Sequence, residues 1–367
     1  MQDNMRAAWR LLFAGLATFG LMGFGQSLFG PTLPEATRRF LLPEGEAALL
    51  VSAQWIGSAI GVATMFVLSH RIVPRHALAL LTLGAAGLAA QPAWGAMLAA
   101  SVVFGVGYGM ATASFNPRVL KAFGDRGASM LSLLNAAFAA GAIVAPLVFV
   151  WLGSASALVF ALMAGGCALV WVFAGEPSGT VATTAPVART GLRPHWPILA
   201  FGAISVGIEA SLIGLGPTAL ISAGVTEAHA AQYLSAFFLA FLAARVVLGF
   251  TAHRVTPFAI YLAAMVWAAA CALAAAVWLP GPAFVAMGVS AGMFFPGYFV
   301  AAAGKMGDDP RVTPLILSAG LAGGIGAPFL LGALMTGLGE RGFFWLLVGI
   351  TVPTALAALL PARAMAR

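Results

Sequence analysis

Twelve apolar runs, most of about 20 residues or longer, follow one another between residues 9 and 361. A helix needs roughly 20 apolar residues to cross a bilayer, and in hydrocarbon its backbone amides must be satisfied within the helix itself. The chain is therefore expected to be an all-α polytopic membrane protein. The expected spans are 9–33, 47–69, 76–94, 96–121, 127–152, 155–174, 196–219, 228–250, 257–279, 282–304, 312–337 and 341–361. Composition agrees: 61% of residues are hydrophobic and 8% charged, against about 25% charged in soluble domains. The junctions "QPAWG" (91–95) and "GSAS" (153–156) are short. The one long polar stretch, 175–195, is rich in Pro, Thr, Ala and Gly and reads as a flexible connector. It sets the expected organisation: a six-helix bundle in 1–174, a cytoplasmic linker in 175–195, and a second six-helix bundle in 196–367.

An internal repeat points the same way. Positions 70–74 read "HRIVP" and positions 253–257 read "HRVTP", half the length of the chain apart. Solenoid units run to about 20–50 residues, so this separation implies duplication of a whole half. Each copy follows the second span of its half.

The net charge of +7 is not a nucleic-acid signature, because the basic residues are spread along short loops. With the N-terminus inside, the inner loops and tails hold Arg6, Arg10, Arg71, Arg75, Arg118, Lys121, Arg126, Arg189, Arg193, Arg254, Lys305, Arg311, Arg363 and Arg367. The outer side holds only Arg38, Arg39 and Arg341, and Arg245 falls within a span. That asymmetry obeys the positive-inside rule and puts both termini in the cytoplasm. The apolar run after Arg6 and Arg10 continues to about Leu33, so a retained span is expected rather than a cleaved signal. Cys167 and Cys271 lie in apolar runs without a CxxC or His cluster, so neither disulfide nor metal is expected. No cofactor is expected either. Sixteen Arg against two Lys, with abundant Ala and Gly, suggest a bacterial inner (plasma) membrane.

Two related halves of six spans, with a basic loop after spans 2 and 8, resemble the major facilitator superfamily of secondary transporters. That family carries Gly-x-x-x-Asp-Arg-x-Gly after span 2, often echoed after span 8. "GFTAHR" (249–254) keeps the Gly and Arg but has His253 for the Asp; "FVLSHR" (66–71) lacks the Gly as well. Further stretches are similar to the sugar and fucose permease branch: "GMATASFNPRVLKAFG" (109–124), "SLLNAAFAAGAIVAPLV" (132–148), the "GIEASLIGLGPT" opening of 207–249, "AGMFFPGYFVAAAG" (291–304) and "AGLAGGIGAPFLLG" (319–332). The resemblance implies alternating access, a small-molecule solute and a coupling proton. Fucose-type members carry carboxylates in spans 1 and 4; neither of those two spans has one here.

Glu209 is the only acid inside an expected span, about 13 residues into span 7 and so near the midplane. Intramembrane carboxylates are expensive and usually face a cavity, which makes Glu209 the candidate proton carrier. A hydrogen-bonded strut between helices is the plainer alternative. Arg245, about a turn from the inner end of span 8, is read as snorkelling or gating, and Arg71 and Arg254 as gating or structural residues of the loops. The candidate solute contacts are Asn135, Gln26, Asn116, Gln54 and Trp55. Amides offer donors and acceptors to a hydroxyl-rich solute, and Trp stacks on a sugar face. For Gln26 and Asn135, helix–helix hydrogen bonding is an equal alternative. Asn116, before Pro117, can mark a bend, and Gln54 with Trp55 can mark the outer interface.

The function expected is a proton-coupled secondary transporter of a small polar solute such as a sugar, working as a monomer. The abundant Phe and Met keep an exporter of drug-like compounds as the alternative. An intramembrane enzyme or receptor is disfavoured: all five His lie at span ends or in loops, no HExxH occurs, and no second membrane acid forms a dyad.

Overall fold

The computed structural model describes residues 2–43, 45–68, 72–173, 193–251, 254–307, 312–339 and 341–365. Most of the expected linker, together with His70, Arg71 and His253, lies outside the described residues. Within them the long elements are all helical: α1 Gln2–Phe40, α2 Leu49–Leu68, α3 Pro74–Ala90, α4 Trp94–Phe123, α5 Gly127–Trp151, α6 Ser156–Phe173, α7 Trp196–Ser222, α8 Glu227–Thr251, α9 Pro257–Val277, α10 Pro280–Met306, α11 Val312–Met335 and α12 Gly342–Met365. Eleven of these are long and apolar enough to cross a membrane. The exception is α3, with 17 residues, which rises only about 26 Å at 1.5 Å per residue.

Helix starts follow local chemistry. Both pentapeptides end in a proline that opens the next helix, Pro74 for α3 and Pro257 for α9. Proline suits that position because its missing N–H would have no intrahelical partner there. The His195 ring accepts from the Ile198 N–H and caps α7.

The chain divides into two compact units, Met1–Leu41 with Leu49–Thr184, and Leu42–Ala48 with Ala185–Arg367. In the first, α1 packs on α5 and α6, and α4 on α2 and α3. In the second, α7 packs on α11, and α10 on α8 and α9. The helix seams repeat at the same spacing along the chain as the pentapeptides. Gly105 and Gly109 face the carbonyls of Gln54 and Ser58, while Gly288 and Gly292 face those of Phe237 and Phe241. Glycine is required at such a seam because an added Cβ would overlap a backbone oxygen.

Two expectations about α1 and α4 change. Helix α1 runs on past Leu33 through Pro34 to Phe40, so Glu209 is not the sole acid within a spanning helix: Glu35 lies in the last turns of α1. Its Oε2 accepts from the Ser156 N–H at 3.1 Å, satisfying an orphan donor at the start of α6. Beside it, Gln91 donates to Ser156 Oγ and accepts from Arg39 at 2.8 Å. This network ties together the ends of α1, α3 and α6. Arg118, counted among the loop cations, is buried instead. It donates to the Ile72 carbonyl at 3.0 Å and to Ser114, so α4 holds the first pentapeptide by its backbone.

Candidate functional site

Helix α7 is buried over most of its length, and the reason is compositional. Small residues let its neighbours approach closely: a Cβ on Gly207 would lie 2.8 Å from Ala327 of α11, and one on Gly216 would lie 2.3 Å from Phe284 of α10. From Ser205 to Pro217 every residue is buried except Glu209, which keeps accessible surface. Glu209 is thus an acid set within a packed helix that keeps some surface open to a molecule the size of water.

Its electrostatic partner comes from α8. Gly202 faces Tyr298 and Gly216 faces Phe284, so Glu209, midway between them, stands level with Ala291 and Gly292 on antiparallel α10. Arg245 arrives at the same level: its Nε donates to the Gly292 carbonyl at 3.3 Å, and its guanidinium lies 4.3 Å from the Phe241 ring centroid. The Arg245 charge acts on the Glu209 carboxylate. Arg245 is thus six residues from the end of α8 and is held inward by α10 rather than extended to the interface. Cation–π and carbonyl contacts are what a guanidinium finds when it is kept from water.

The neutral candidates lie in the first unit at two levels. Gly25 faces Phe104, and the Gln54 carbonyl faces Gly105, so Gln26 and Gln54 share one turn of α4. Gln26 is 5% and Gln54 1% exposed. Among the described residues their Oε1 atoms, Trp55 Nε1 and Asn116 Oδ1 are buried without a hydrogen-bond partner, whereas Gln54 Nε2 reaches Ser58 Oγ at 3.3 Å. Buried polar atoms are costly when unpaired, so this cluster differs from the ordinary interior. Gln54 and Trp55 lie a turn or more inside α2 rather than at its mouth. Asn116 and Asn135 lie lower, near Gly15, which faces Phe115 and Leu134; Gln26 is eleven residues further along α1, about 16 Å. Asn135 is exposed and its amide donates to the Leu131 carbonyl of its own helix at 2.9 Å. The structure therefore groups Gln26 with Gln54 and Trp55, and sets Asn116 and Asn135 apart from them.

Gln26 and Glu209 are themselves related by the spacing of the two pentapeptides. The register of their helices supports the match: Gly20 presents its carbonyl to Gly141, and Ala203, which corresponds to Gly20 at that spacing, presents its own to Gly323. One unit thus carries an amide where the other carries an acid. Of the loop candidates, Arg254 is exposed at the end of α8 and Arg71 lies outside the described residues. Among the described residues no three His, Cys, Asp or Glu side chains gather to hold a metal ion.

The family model described as Major Facilitator Superfamily matches residues 15–315. No curated protein matches the sequence. Among solved structures, a POT family transporter in complex with 5-aminolevulinic acid is similar, with a TM-score of 0.79 at 13% identity, covering 99% of this chain and 97% of that one. The D-xylose-proton symporter gives 0.74 at 14% identity, with 95% and 97% covered. The nucleoside transporter NupG gives 0.73 at 15% identity, with 98% and 99% covered. At such identities the likeness is one of fold.

Proposed function

The chain belongs to the Major Facilitator Superfamily and is an integral membrane transporter rather than an enzyme; from that premise we propose that it is a proton-coupled secondary transporter of a small polar solute, such as a sugar, in the manner of the sugar and fucose permease branch. In this reading twelve helices cross the membrane as two six-helix halves joined by a cytoplasmic linker. Both termini face the cytoplasm, and the monomer works in a bacterial inner membrane. Alternating access exposes a midplane site to one face and then the other.

The observation that carries the proposal is the opening at Glu209 in an otherwise buried stretch of α7, within reach of the Arg245 charge. Protonation of Glu209 releases Arg245 from that attraction and leaves it to Gly292 and Phe241; deprotonation restores it. Gln26, Gln54 and Trp55 supply unpaired acceptors and a donor suited to hydroxyl groups. A xylose–proton symporter among the similar structures supports the pairing of sugar with proton.

The test is uptake of labelled sugar into proteoliposomes with and without an inward proton gradient. Glu209→Gln is expected to abolish gradient-driven accumulation while leaving solute exchange intact. Accumulation at the wild-type level in that variant would remove Glu209 from the coupling step.

A further inference from the structure

Beyond its first turn helix α10 carries a single proline, Pro296. Proline has no amide hydrogen, and its ring crowds the carbonyl four residues before it. In α10 that carbonyl belongs to Gly292. It loses the intrahelical donor that its neighbours have, in the middle of a spanning helix where freed backbone groups must find partners within the protein. The Gly292 carbonyl is also the one that accepts from Arg245 Nε, at 3.3 Å.

The ring of Phe241 does not explain this reach. Phe241 is four residues before Arg245 on α8, so its contact with the guanidinium holds the side chain along its own helix. The carbonyl draws it across to α10. The first unit offers an internal comparison. At the spacing of the pentapeptides Gly292 matches Gly109, Pro296 matches Ala113 and Arg245 matches Val62. Where the fourth residue onward has an amide, the helix can satisfy its own carbonyl, and the neighbouring helix carries valine. Where that amide is missing, the neighbour carries arginine.

The placement of this cation matters because nothing else competes with it. Among the described residues, the other charged residues and histidines on helices packed against α7 lie at helix ends: Glu227 and His229 of α8, Lys305 of α10 and Arg363 of α12, with none in α11. We infer that Pro296 is a positioning residue: by withholding its amide it opens the Gly292 carbonyl, and that carbonyl seats Arg245 at the level of Glu209. The inference rests on the proposed coupling role of Glu209 for its consequence in transport, but the seat itself is tested without a solute.

Dicyclohexylcarbodiimide attacks protonated carboxyls in apolar surroundings. It is applied to the full chain in neutral detergent over a range of pH, and labelling of Glu209 is read by peptide mass spectrometry. Arg245→Gln is expected to move the pH midpoint of labelling by about one pH unit or more, the influence of a neighbouring charge. Pro296→Ala, which returns an N–H to the Gly292 carbonyl, should move it in the same direction, and the double variant no further than Arg245→Gln alone. The melting temperature of Pro296→Ala should hold or rise, because a helix interior regains a hydrogen bond. Pro296→Gly regains the same N–H while leaving the helix free to bend, and it should move the midpoint as Pro296→Ala does. A midpoint unmoved in Arg245→Gln or in both Pro296 variants, or shifts that add in the double variant, overturns the inference. Uptake of labelled D-xylose into proteoliposomes separates it from the transport reading. Proton-driven uptake that falls in Pro296→Ala, with no further fall when Arg245→Gln is added, supports both. A wild type that accumulates no xylose removes the support for a sugar, and the labelling midpoints still decide the role of Pro296.

Discussion

The seam between α2 and α4 and the seam between α8 and α10 are one design carried out with different residues. In the first, glycines stand on both helices. A Cβ on Gly57 or Gly61 would lie 2.1 or 2.2 Å from the carbonyls of Val102 or Val106, and one on Gly105 or Gly109 would lie 2.1 or 2.2 Å from those of Gln54 or Ser58. In the second, α10 keeps Gly288 and Gly292, but Ala240 and Ala244 stand on α8 at the places of Gly57 and Gly61. The consequence is a wider seam at one point: the overlap at Gly292 is with the Phe241 carbonyl at 2.6 Å rather than 2.2 Å. At that point Arg245 reaches the Gly292 carbonyl. Its counterpart in the first unit, at the spacing of the pentapeptides, is Val62. A seam closed from both sides holds two helices together; a seam closed from one side also admits a charge.

This contrast can be broken in three graded ways. The largest effect is expected from Gly105→Val, whose side chain must displace the Gln54 backbone. Overpacking of this kind costs about 1–3 kcal/mol or more, seen as a fall in melting temperature and loss of a monodisperse peak in detergent. A melting curve like the wild type's would mean that the first seam is not as tight as its geometry. Next comes Gly292→Ala, where a Cβ meets a less crowded carbonyl. The expected outcome is a modest drop in stability, of about 1 kcal/mol, with a larger loss of proton-driven uptake because Arg245 loses its seat. Stability and uptake falling in equal measure would count against a special role for that opening. The smallest change is Ala240→Gly, which only restores the residue of the first seam. It should cost no more than the intrinsic helix penalty of glycine, about 1 kcal/mol, and a fall as deep as that of Gly105→Val would contradict the correspondence of the two seams.

How far this could be read from the residues alone differs from element to element. Apolar run length set the helices within a few residues, because a bilayer imposes a length that hydropathy records directly. It ended α1 too early because Pro34, Glu35 and Arg38 look like a loop; a proline is tolerated in a long helix when neighbours re-satisfy the backbone, and Glu35 finds the Ser156 N–H only once α6 is folded beside it. The burial of Arg118 escapes the sequence for a related reason. Its position near the end of a span says nothing of the Ile72 carbonyl that draws it inward. Glu209 stood out at once, since an acid in an apolar run has no ordinary explanation. The separation of Asn135 from Gln26 was not legible, because it depends on which helices are neighbours and at what height they meet.

The amide at position 26 has one further consequence for energetics. Suppose Glu209 carries the coupling proton; the matching place in the other half then holds a group that never titrates. Each turnover with a neutral solute then moves one positive charge and no more, so transport is electrogenic with a stoichiometry of one. A membrane potential of 100 mV supplies about 2.3 kcal/mol per charge, enough on its own to hold solute about fifty-fold concentrated. Gln26→Glu would place a second acid in the opposite half and turn the question of stoichiometry into one that a current and a flux, measured together, can answer.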